Sequence, residues 1–173
     1  MEQTVHIKYI WNSEDLVRAY KYHKKSSRYF WLSRCFIIVF GIANLGFGIL
    51  GLASQLSNSF AIFQLIIGLF LLMSEPISNR FYSYRCKRLN YDGREVEWAV
   101  SEEKILYRLM NLSESTFTWE LIIGALDTPH GFLLYPQKNL FYFIPKEGFK
   151  NLDDVAQFAY IAQNSVPNFQ QVK

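Results

Sequence analysis

Residues 35–74 read CFIIVFGIANLGFGILGLASQLSNSFAIFQLIIGLFLLMS, forty consecutive positions without Asp, Glu, Lys, Arg or His. A helix rises about 1.5 Å per residue and a bilayer core is about 30 Å thick, so this length serves two crossings. The stretch divides itself. Cys35 to Ala53 is apolar, Ser54 to Ser59 is polar but uncharged, and Phe60 to Met73 is apolar again. The pattern predicts a transmembrane hairpin over residues 35–79, with spans at about 35–53 and 58–77.

The flanks set the orientation. Residues 1–91 hold eleven Lys/Arg against four Asp/Glu, whereas residues 92–173 hold seven against eleven. Basic residues crowd both ends of the hairpin: Lys21, Lys24, Lys25, Arg28 and Arg34 before it, and Arg80, Arg85, Lys87 and Arg88 after it. The turn between the spans has none. Cytoplasmic flanks collect Lys and Arg, so a multi-pass protein of the cell (inner or plasma) membrane with both termini cytoplasmic is expected. The nine basic residues are candidate headgroup contacts, because each cation near an anionic leaflet contributes about 1 kcal/mol of attraction. The lipid bilayer is the first expected partner, an unknown protein the second and a homo-oligomer a third; nucleic acid is not expected. The first thirty residues carry no apolar run fit for a cleaved signal, so the first span is expected to act as its own insertion signal. Cys35 and Cys86 then face a reducing compartment, which argues against a disulfide. It also makes the Asn111-Leu112-Ser113 glycosylation pattern irrelevant.

Within the first span Gly41, Asn44, Gly48 and Gly51 share one helical face, and Gln64, Gly68, Leu71 and Glu75 do so in the second. Small residues permit close backbone approach, so these faces are expected to form the seam of the hairpin or of an oligomer. Glu75 lies in the last turn before Pro76 and is expected to reach headgroups or Arg80.

The remaining sequence reads as short strands. Val5, Ile7 and Tyr9 alternate with polar neighbours, and Asn12-Ser13-Glu14-Asp15 supplies helix-capping chemistry for a helix running toward the membrane. Residues 1–34 are therefore an N-terminal strand, which should join the β domain, and a juxtamembrane helix. Beyond Asp92-Gly93, alternation recurs in 95–100, 104–109 and 116–119, with further β-like runs at Leu121–Leu126, Phe132–Tyr135 and Asn139–Ile144. A helix follows near Leu152–Asn164, its apolar face drawn from Leu152, Val155, Phe158, Ala159 and Ala162. The expected fold class is an α+β membrane protein: a two-helix hairpin plus a small antiparallel barrel or sandwich with a C-terminal helix, the β-rich domain spanning 92–166.

Thr116-Phe117-Thr118-Trp119-Glu120-Leu121-Ile122, then Phe132-Leu133-Leu134-Tyr135 and Phe143-Ile144-Pro145-Lys146-Glu147-Gly148-Phe149, resemble the YcxB-like family of bacterial membrane proteins. The order of parts matches as well: strand, helix, two spans, β-rich tail. Glu147 stands where that family commonly has arginine. The resemblance implies a cytoplasmic domain like a pleckstrin-homology barrel, with Trp119, Pro145, Lys146 and Phe149 as motif residues of mainly structural role, and it brings no activity with it. Catalytic, cofactor-binding and metal-ligating sets are all expected to be absent: His6, His23 and His130 are scattered, neither Cys has a nearby His, and no phosphate loop occurs. The expected function is a membrane-anchored cytoplasmic interaction or lipid-sensing module. One alternative is a transporter or channel subunit oligomerising through the Gly41/Asn44/Gly48/Gly51 face. Another is a membrane-tethered enzyme using Lys146 with Glu120 or Glu147.

Overall fold

The computed structural model describes residues 4–27, 29–54, 58–88, 92–110 and 112–172; Arg28 and Asn111 lie outside them. The chain forms two compact units, Met1–His23 with Cys86–Lys173, and Lys24–Arg85.

In the first unit, β1 (Val5–Ile10), β2 (Glu95–Val100), β3 (Lys104–Leu109) and β4 (Ser113–Thr118) form sheet A in that order. All its pairings are antiparallel, so β1, from before the hairpin, lies directly beside β2, from after it. Sheet B holds β5 (Gly124–Asp127), β6 (Gly131–Gln137), β7 (Leu140–Pro145) and β8 (Phe169–Gln171) in the order β7-β6-β5-β8, with β8 parallel to β5. Sheet A alternates because only one of its faces is buried: Val5, Ile7, Val96, Trp98, Val100 and Ile105 point into the core. Sheet B is covered on both faces. Phe132, Leu134 and Ile144 meet sheet A and α4 (Leu152–Ser165), while Leu126, Leu133 and Phe143 meet α1 (Ser13–Ser26) through Ala19. That double covering is why Phe132-Leu133-Leu134 reads as a continuous apolar run.

Helix α1 starts where Asn12 Oδ1 accepts from the Glu14 amide at 2.9 Å. The Asp92 carboxylate accepts from the Ser13 amide at 2.6 Å and from its hydroxyl at 3.0 Å. A carboxylate here also meets the positive end of the helix dipole. Helix α4 is capped in the same way by Asn151, which accepts from the Asp154 amide at 2.7 Å.

Several expectations need correction. Neither sheet closes into a barrel; the two antiparallel-rich sheets pack as layers over one core. Trp119 is not on a strand. It opens a 3-10 turn, Trp119–Leu121, at which the chain leaves sheet A for sheet B, and Leu121 and Ile123 stay outside β5 with 59% and 45% exposure. Leu152 is 84% exposed and leaves the expected face of α4, whose other members Val155, Phe158, Ala159 and Ala162 do pack on the core, joined by Ile161. The sequence pattern does not predict the parallel strand β8.

The second unit is the helical hairpin. Helix α2 covers Phe30–Ala53 and α3 covers Asn58–Arg88. At 1.5 Å per residue they are about 36 and 46 Å long, and both are apolar enough to cross a membrane. In their most apolar windows only 17% and 11% of residues are buried, the reverse of what a soluble core helix shows. Val39, Phe47, Ile49 and Phe70 are each more than 60% exposed. Pro76 does not end α3, which continues to Arg88. A missing N–H is tolerated in an apolar helix when neighbours satisfy the freed carbonyl.

Candidate functional site

The outer face of sheet A carries an ordered set of charges. Antiparallel register sets Lys8 opposite Glu97, Glu97 opposite Arg108 and Arg108 opposite Glu114, so one row crosses all four strands with alternating sign. The side chains meet along it. Lys8 Nζ lies 3.2 Å from Glu97 and also pairs with Glu95. Arg108 lies 3.8 Å from Glu97 and closes on Glu114 with Nε at 3.0 Å and Nη2 at 2.9 Å. Directly opposed residues interact across an antiparallel pair, each opposite-charge contact contributing about 0.2–1 kcal/mol. The neighbouring row is His6, Ala99, Leu106 and Thr116. Small Ala99 leaves a cleft of about 580 Å3, bounded by His6, Lys8, Leu106 and Arg108 and by Glu147 and Lys150 from the turn after β7.

The Lys146 corner is a second constellation. Pro145 ends β7, and Lys146–Gly148 makes a 3-10 turn. Lys146 Nζ pairs with Asp127 Oδ1 at 2.7 Å and sits 5.1 Å from the centre of the Phe132 ring. Asp127 is 6% exposed, and its other oxygen accepts from Gln171 Nε2 at 3.1 Å. Glu120 and Glu147, the acids named for an enzymatic reading, are both exposed, and the ion-pair partner of Lys146 is Asp127. The corner locks β8 and β7 to β5. Phe149 is buried and bridges Ile7 on β1, and Trp119 is buried with Nε1 donating to the Ser101 carbonyl at 2.8 Å. These motif residues therefore lie at the places where the two sheets are joined.

The family model for YcxB-like protein matches residues 100–162. Residues 100–162 form a YcxB-like domain. No curated protein and no solved structure matches the chain. The match runs from the last residue of β2 into α4, so it takes in β3 to β7, Trp119 and the Lys146 corner. Two helices long and apolar enough for a two-span membrane protein precede the YcxB-like domain.

The basic residues outside the matched region divide. Arg34 reaches across the hairpin to Glu75 at 2.6 Å, and Lys24 Nζ donates to Asn79 Oδ1 at 3.3 Å. Glu75 is thus partnered by Arg34, not by Arg80. Lys21, Lys25, Arg80, Arg85, Lys87 and Arg88 are exposed, Arg85 lying 6.0 Å from the Phe81 ring. The small residues pack within the hairpin. A Cβ on Gly41 would meet Leu72 at 3.0 Å, one on Gly48 the Ala61 carbonyl at 2.9 Å, one on Gly51 the Ala61 Cβ at 3.1 Å and one on Gly68 the Gly41 carbonyl at 2.8 Å. The face on which the channel reading would oligomerise is therefore occupied by α3. Asn44 is buried with its amide donating to the Phe40 carbonyl of its own helix at 2.7 Å, and Gln64 is half-buried.

Among the described residues of the first unit, burial shifts the pKa of Tyr9 and of His23. The Tyr9 hydroxyl donates to the Phe143 carbonyl at 2.9 Å and accepts from Trp98 Nε1 at 3.4 Å, and burial pushes its pKa well up. His23 lies against Tyr135 and Phe141, and burial holds its imidazole pKa below the ordinary value. Neither Asp127 nor the charge row could be identified as a set from sequence. Lys146 lies 19 positions from Asp127, the opposed pairs of the row lie 89, 11 and 6 positions apart, and only strand register brings them together.

Proposed function

We propose that this chain is a multi-pass protein of the cell membrane whose cytoplasmic β domain is a docking module, held at the bilayer by two chain connections. The observation that carries this is the pairing of β1 with β2: the hairpin interrupts the domain between two strands that are neighbours in one sheet. That pairing supports a reading in which both flanks of the hairpin lie on the same side of the membrane and the domain has two chain connections to it. The Lys/Arg-rich flanks favour the cytoplasmic side. Helix α3 is about 16 Å longer than a bilayer core, so its last residues, with Arg80, Arg85, Lys87 and Arg88, would emerge through the headgroups. A likeness to pleckstrin-homology domains is supported by the plan of four and then three antiparallel strands followed by a core-packed helix, with β8 added outside it. The outer face of sheet A is the surface offered to a soluble partner.

The test uses cysteine accessibility in intact cells, in a Cys35→Ser background. Ser59→Cys should react with a membrane-impermeant maleimide, and Glu114→Cys should react only after permeabilisation. Labelling of Glu114→Cys from outside would refute the orientation. Labelling of only one of two cysteines placed in β1 and β2, at Lys8 and at Glu97, would refute the double attachment.

A further inference from the structure

The alternating charge row ends at an edge. Glu114 lies on β4, the terminal strand of sheet A, paired on one side with β3 and 51% exposed at its side chain. Two of the three core-side rows end there too, while the third, Val5, Val100 and Ile105, continues to Phe117. Ile7, Trp98 and Tyr107 continue to Ser115, and Tyr9, Val96 and Leu109 continue to Ser113; both serines are exposed. Apolar rows that cross three strands and stop at small exposed hydroxyls leave room for one more strand's side chains.

Edges are usually blunted, and the other three in this domain are. The free side of β1 is met by Phe149, which bridges Ile7. β7 ends in Pro145, and its register against β6 shifts between Leu134 and Gln137. β8 has three residues. By contrast β4 pairs over six positions without a register shift and holds no Pro and no Lys. Among the described residues it is the one long, regular edge left open.

We propose that β4 takes an extended segment of a partner protein by strand addition, with a lysine or arginine opposite Glu114 and apolar residues beside Ser113 and Ser115. This rests on the docking-module reading and names the chemistry of its partner. Main-chain hydrogen bonds would supply the affinity and the alternating side chains the selectivity. Charge complementarity decides the occupant. A cation opposite Glu114 extends the sequence of signs Lys8, Glu97, Arg108, Glu114 by one step. A second copy of β4 does not, because pairing residues that share a face sets Glu114 against itself, Thr116 or Thr118.

The full chain in nanodiscs is titrated with two fluorescent heptapeptides, each alternating valine with threonine, one with a central lysine and one with a central glutamate. This readout is independent of orientation in the cell, so it can fail while the membrane topology stands, and the reverse. The lysine peptide should bind with a Kd about 2- to 10-fold below that of the glutamate peptide. Glu114→Lys should reverse the preference, and the lysine peptide N-methylated at alternate residues should lose binding. The proposal is overturned by absence of binding, by a preference that ignores Glu114, or by equal binding of the N-methylated peptide. A protein that is dimeric without peptide and disulfide-crosslinks through Ser115→Cys would also overturn it, in favour of a second copy.

Discussion

Replacing Ile7 with alanine asks whether a strand that precedes the hairpin is part of the core that follows it. Ile7 is 1% exposed, opposes Trp98 on β2 and touches the turn at Gly148. The change removes three carbons, about 2.4 kcal/mol of transfer free energy at about 0.8 kcal/mol each. The cavity left beside Trp98 and Phe149 adds to this, for a total of about 3–4 kcal/mol. For a unit of this size that corresponds to a Tm lower by about 10–15 °C. The control is Ile10→Ala, the same residue type on the same strand but 67% exposed, expected to change stability by less than about 0.5 kcal/mol. Urea unfolding of the full chain in dodecyl maltoside, followed by tryptophan emission, measures both. If Ile7→Ala stays within 1 kcal/mol of the parent, or Ile10→Ala costs as much, β1 is not a core strand and the double attachment fails with it.

Lys146→Met should destabilise by about 2–3 kcal/mol, because it leaves the Asp127 carboxylate buried without its cation; adding Asp127→Asn should recover most of the loss in the same unfolding assay. Trp119→Phe keeps the bulk but strands the Ser101 carbonyl, with an expected cost of about 1–3 kcal/mol. Gly68→Ala sets a methyl against the Gly41 carbonyl and should separate the hairpin helices, read as a lower aggregation temperature in mild detergent, whereas Gly46→Ala, which meets nothing within 4 Å, should not. His23 has a lowered pKa in the fold, so the unfolded chain binds its proton more readily; stability should be fully present above about pH 6.5 and fall as the pH drops below it. His23→Gln should flatten that limb of the pH dependence, and an unchanged slope would remove His23 as its source.

The hairpin and the class of the β region were legible because both are one-dimensional patterns. Forty uncharged residues outweigh any local detail, and the alternation of Val96, Trp98 and Val100 needs no partner to be recognised. Period-two alternation extends the strand to Trp119 because the pattern runs on through a corner where the backbone has already turned. Helical periodicity puts Leu152 on the buried face because it cannot tell which turn of the helix projects past the core. Pro76 sits inside α3 without ending it, because the usual penalty for proline assumes that nothing else satisfies the helix.

Composition and spacing alone determined that this polypeptide has two lipid-compatible helices and a small β-rich domain with basic approaches to the spans. Tertiary structure decided which strands are neighbours, and hence that β1 and β2 close one sheet around the hairpin, that Lys146 answers Asp127, and that the charge row ends on an open edge at Glu114. The reason is range. Periodicity and hydropathy are carried by residues a few positions apart, whereas register and ion pairing depend on segments that meet only after the chain has folded back, and a shift of one residue would turn every side chain in the row to the other face.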